Sequence, residues 1–127
     1  MEPNRRHSWK IARSARDAYG GAWWALRHTR SLQLALVTAI VAVVAGRLLG
    51  LSILELAVIV LAATVLLATE TMNTAIELLC DFLHPTPHSA IGRIKDVAAG
   101  ATACSEVGAG LVLILLYGDR IWHLLGH

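Results

Sequence analysis

The sequence predicts an all-α integral-membrane protein, an amphipathic N-terminal surface helix followed by three transmembrane helices. Three observations carry this prediction. Of the 127 residues, 56% are hydrophobic and the mean hydropathy is +0.59, more apolar than an ordinary soluble domain. Apolar runs at 32–50, 56–83 and 97–118 are each close to or beyond the ~20 residues a helix needs to cross a bilayer. Basic residues are also segregated. Arg5, Arg6, Lys10, Arg13, Arg16, Arg27 and Arg30 precede the first run, and Arg93 and Lys95 lie between the second and third. The positive-inside rule then puts the N-terminus and the 84–95 segment on the cytoplasmic side, with the first hairpin and the C-terminus outside. A soluble helical bundle is the competing reading. The length suits a single domain over 1–127.

In chain order, residues 8–28 mix Lys10, Arg13 and Arg16 with Trp9, Ile11, Tyr19, Trp23, Trp24 and Leu26, the pattern of a helix lying on a membrane surface. Gly20 and Gly21 are expected to loosen or bend it. A simple anchor would share the same pattern. The first span ends near Arg47 and Gly50, and Ser52 to Glu55 lead directly into the second, so the hairpin is short. Arg47 and Glu55 are expected at the interface, snorkelling to water. The segment 84–93, HPTPHSAIGR, carries two of the three prolines, which end the second helix. It is the expected cytoplasmic lid or binding loop. The third span is rich in Gly and Ala, which favours close helix packing. No run reads as a signal peptide, since the first starts late and no A-x-A-like site follows a short apolar core. Cys80 and Cys104 fit neither a disulfide framework nor a zinc pattern. An adjacent membrane accounts for the basic end without nucleic acid.

The stretch ATETMNTAIELLCDFL, residues 68–83, places Glu70, Asn73, Glu77 and Asp81 inside the second span. An ionisable group there costs at least ~2.5–3.5 kcal/mol on insertion scales, so a functional site is the default reading. At 100° per residue, Glu77 and Asp81 fall within roughly 20° of Glu70 and Asn73 about 60° to one side, giving one polar stripe. Acids alone could line a cation pathway or a proton relay. Acids with Lys95 and Asp96 across the loop fit phosphoryl transfer: carboxylates hold magnesium, a lysine neutralises phosphate, and a free carboxylate takes a proton. No Walker loop and no H-R-D or D-F-G signature is present, which excludes the familiar soluble nucleotide folds.

ETMNTAIELLCD at 70–81 and IKDVAAGA at 94–101 resemble, in order and spacing, the two motifs of the small prokaryotic diacylglycerol kinase and undecaprenol kinase family. The resemblance covers essentially the whole chain. It implies a homotrimer in the bacterial cytoplasmic membrane, with active sites at subunit boundaries near the cytoplasmic surface. There magnesium-ATP would phosphorylate a lipid alcohol, either undecaprenol or diacylglycerol, feeding carrier recycling or phospholipid turnover. By resemblance, Glu70 is the general base and Glu77 a magnesium ligand. Asn73 and Asp81 are supporting polar residues, and His88, Lys95 and Asp96 contact the nucleotide. Lys10 and Arg13 fall where the family has basic residues near phosphate or lipid. KDVAAGA and the Pro-His loop look more like the undecaprenol branch. The chain departs from the pattern at Thr29, where the family usually has a carboxylate completing the magnesium site, and at Ser31, often Asn. Glu106, in the third span, stands where an apolar residue is expected. Either Glu106 or Asp17 could restore the missing charge, although Glu106 lies about 15 Å along the helix from Asp96.

Overall fold

The computed structural model describes the backbone of residues 5–125 and the side chains from residue 13 onward. Four helices follow in order: α1 (Arg5–His28), α2 (Arg30–Leu48), α3 (Ile53–Leu83) and α4 (Ser89–Leu124), with no strand among the described residues. The last three are long and apolar enough to cross a membrane. α3 packs against both α2 and α4, and α1 meets α2 and α3 more lightly.

The bounds differ from the hydropathy runs in an instructive way. α4 begins eight residues before the predicted 97 and continues past 118, because its two ends carry Arg93, Lys95, Asp96, Asp119 and Arg120. Hydropathy sees these as breaks, whereas helix propensity does not. The binding loop accordingly shrinks to residues 84–88, and His88 becomes the N-cap of α4, its Nδ1 accepting from the Ala90 amide at 3.2 Å. α1 runs unbroken through Gly20 and Gly21, so neither glycine ends the helix.

α1 and α2 are divided by one residue, Thr29, in extended conformation (φ −114°, ψ 114°). The junction is well made. Gln33 Nε2 donates to the carbonyls of Leu26 at 3.0 Å and Arg27 at 3.2 Å, satisfying acceptors that a helix end leaves open. His28 stacks on Trp24, with ring centroids 4.4 Å apart. The Arg27 guanidinium lies 4.7 Å from the centre of the Trp23 ring, a favourable cation–π placement.

At the other end, α2 and α3 are joined by a hairpin whose turn favours glycine. Gly50 has φ +77°, the left-handed region that costs other L-residues ~1–2 kcal/mol. Ser52 and Glu55 form a reciprocal cap: the Ser52 amide donates to Glu55 Oε2 at 2.6 Å, and the Glu55 amide to Ser52 Oγ at 3.3 Å. α4 then stitches the hairpin shut. Arg120 Nε donates to the Leu49 carbonyl at 2.6 Å, and the Tyr117 hydroxyl to the Ala42 carbonyl. Beneath these bonds sits the buried cluster of Ala42, Leu51 and Ile59, with Leu56, Leu113 and Tyr117 against it. Towards the middle of the bundle a hydroxyl contact takes over, with Thr69 Oγ1 and Ser105 Oγ 2.6 Å apart.

Candidate functional site

The acidic stripe of α3 grades from buried to exposed. Glu70 is only 4% exposed, Asn73 is half-buried, and Glu77 and Asp81 are exposed. Eleven residues separate Glu70 from Asp81, about 16 Å along the helix axis.

Glu70 faces the α1–α2 junction. Ser31, in the first turn of α2, donates its hydroxyl to Glu70 Oε2 at 2.8 Å. Thr74 donates to the Glu70 carbonyl at 3.0 Å and lies 3.5 Å from Thr29 Oγ1. The Thr29 side chain makes no capping bond to α2, so its hydroxyl contact is this one to Thr74 and not one to Glu77. One turn further on, Asn73 Nδ2 donates to Glu77 Oε1 at 3.0 Å. That bond fixes which end of the amide is which, because a carboxylate only accepts. It leaves Asn73 Oδ1 buried with no partner, a costly condition for a carbonyl oxygen unless something occupies it.

Asp81 is joined to α4 by Lys95, whose Nζ is 2.5 Å from Asp81 Oδ1. This ion pair borders an open cleft of about 550 Å³ between the end of α3 and the start of α4. Both loop histidines line it. His84 Nδ1 lies 2.8 Å from the Thr86 carbonyl, and its ring centre is 4.9 Å from that of His88. Sequence reasoning singled out His88 and passed over His84. The HPTPH spelling, with one imidazole on each side of two prolines, was the available signal.

The remaining expected residues fall outside this arrangement. Asp96 is exposed and has no ion pair among the described residues. Arg13 is exposed on α1, and the side chain of Lys10 lies outside the described residues. Glu106 is exposed on α4, beside the Ser105 that faces α3. Asp17 lies 3.8 Å from its neighbour Arg16. Neither Glu106 nor Asp17 bonds to the stripe among the described residues. Among the described residues no group of three or more His, Cys, Asp and Glu side chains is placed to hold a metal ion.

A family model described as prokaryotic diacylglycerol kinase matches residues 16–117, about four-fifths of the chain. The match takes in every residue of the stripe and the cleft, while Lys10 and Arg13 precede it. A comparison with curated proteins found no match.

Proposed function

The chain belongs to the prokaryotic diacylglycerol kinase family, membrane lipid kinases that pass phosphate from ATP to an alcohol. From that premise we propose that it phosphorylates undecaprenol, with diacylglycerol the competing acceptor, and that Glu70 is the general base. The observation that carries this is the gradient along α3. A buried carboxylate lies deep in an apolar span, and an exposed lysine-lined cleft lies ~16 Å away along the same helix. A lipid hydroxyl reaches Glu70 from the bilayer, and a water-soluble nucleotide reaches Lys95 from the other side.

In the proposed reaction the acceptor O–H bond breaks and its proton passes to Glu70. The acceptor oxygen bonds to the γ-phosphorus, and ADP leaves with the bridging oxygen. Lys95 offsets phosphate charge. Asp81 holds the Lys95 ammonium at the cleft, and His88 and His84 add donors at its rim. Asp96 and the basic residues Lys10 and Arg13 complete the proposed nucleotide and phosphate contacts. Magnesium fits the residues present in part. Glu77 and the orphaned Asn73 Oδ1 are hard oxygen donors one turn apart, and nucleotide phosphates commonly complete such a shell. When bound, the ion would neutralise phosphate charge. Thr29, facing Thr74, contributes nothing to this pair. The second magnesium carboxylate is therefore missing from the chain itself, which favours a second reading in which catalysis is lost or altered.

In the proposed assembly, α1 lies on the cytoplasmic surface of the bacterial inner membrane and three copies form the active bundle. The apolar face that the single chain leaves open supports this, since 17%, 11% and 6% of the three apolar windows are buried. The deciding experiment offers undecaprenol and diacylglycerol separately to purified protein with magnesium and radiolabelled ATP, beside Glu70→Gln. Label in one lipid, absent in the variant, establishes the activity and its acceptor. No label in either lipid favours the reading built on Thr29.

A further inference from the structure

We infer that Ser31 is a positioning residue for Glu70, holding one carboxylate oxygen so that the other alone receives the acceptor proton. The inference rests on the proposed role of Glu70 as base.

The geometry is specific. Ser31 Oγ donates to Glu70 Oε2 at 2.8 Å, across 39 residues of sequence and from a different helix. Serine near a helix start ordinarily bonds its own backbone, yet here the hydroxyl spends its proton on Glu70. Glu70 is 4% exposed, and no described side chain donates to its Oε1. A carboxylate presents two oxygens and about four acceptor positions. With Oε2 engaged and the side chain enclosed, the carboxylate plane is fixed and Oε1 is the oxygen left for an incoming O–H. Ser31 keeps its own proton and forms no covalent bond. The proton released by the lipid alcohol goes to Oε1.

The junction around Ser31 is built to hold this bond. Thr29 breaks the helix two residues earlier, and Gln33 ties the new helix back onto the end of α1 two residues later. Ser31 is therefore placed by the helix break at Thr29 on one side and the side-chain bonds of Gln33 on the other, rather than by its own contact. α1 is thereby joined to the reactive carboxylate through a single turn of α2, so the surface helix helps aim the base.

The experiment compares Ser31→Ala, Ser31→Thr and Glu70→Gln in the full-length protein by lipid phosphorylation, with kcat and both KM values measured. A hydrogen bond to a charged group typically carries an effect equivalent to about 10- to 100-fold in rate. Ser31→Ala is expected to lower kcat by about tenfold or more, with KM for ATP and for lipid within about twofold. Ser31→Thr, which keeps the hydroxyl, is expected to recover most of kcat. An inactive Glu70→Gln beside a fully active Ser31→Ala would overturn the inference and leave the base intact. Loss in Ser31→Ala without recovery in Ser31→Thr would overturn it in favour of a packing role. An active Glu70→Gln would overturn the base itself, a distinguishable result.

Discussion

At the hairpin end of the bundle, Tyr117 and Arg120 of α4 reach the carbonyls of Ala42 and Leu49 over a buried apolar cluster. At the loop end, α4 reaches α3 through one partly exposed pair, Lys95 to Asp81. α4 is thus tied to α2 by packed, part-buried contacts at one end and to α3 by a partly exposed ion pair at the other. The contrast separates holding the fold from doing chemistry. A part-buried hydrogen bond over an apolar cluster is costly to lose, while an exposed, solvent-screened ion pair contributes little. The proposed nucleotide cleft lies at the end tied by this ion pair, away from the packed hairpin.

Substitutions break this contrast in opposite ways. The largest effect is expected from Glu70→Gln, with transfer to lipid falling by ~10²–10⁴-fold. Its helix content by circular dichroism and its thermal midpoint in detergent are expected to match the parent. Gly46→Ala is the converse case. A Cβ there would stand 2.8 Å from Leu51 Cδ1 and 3.1 Å from both Leu56 Cδ2 and the Tyr117 hydroxyl. Overpacking of this kind costs about 1–3 kcal/mol, seen as a lower unfolding midpoint with KM for ATP unchanged in the folded fraction. Gly50→Ala is expected to cost ~1–2 kcal/mol through its positive φ alone, by the same assay. Asp81→Asn sharpens the comparison from the loop end, with the unfolding midpoint little changed and KM for ATP raised. Glu106→Gln is expected to change neither magnesium dependence nor lipid preference, because no bond among the described residues joins Glu106 to the stripe.

How far sequence alone reaches depends on whether a feature lies within one helix. Glu70, Asn73, Glu77 and Asp81 share a face because helical periodicity dictates it, and the structure keeps Asn73 and Glu77 in contact. Three apolar runs give three membrane-length helices for the same reason. Contacts between elements are different. Lys95 reads naturally beside its neighbour Asp96, yet it bonds Asp81 from another helix. Thr29 invites comparison with a metal ligand, but its extended backbone turns it to Thr74. Ser31 is visible in the sequence only as a departure from a pattern. Its bond to Glu70 depends on how α2 docks on α3, which no local spacing encodes.

α3 has 31 residues and α4 has 36, lengths of about 46 and 54 Å against a hydrocarbon layer of ~30 Å. Both helices overshoot the layer, and the polar stripe lies near one end of α3. A thinner or thicker bilayer moves the point at which that stripe leaves oil for water. Lipid chain length thereby becomes a variable of the reaction, and hydrophobic mismatch sets how deep a bulky alcohol must sit to meet the proposed base, Glu70. Vesicles of graded acyl length are expected to show a single optimum in turnover. Displacing that optimum would require lengthening the apolar part of α3, not altering any residue that touches a substrate.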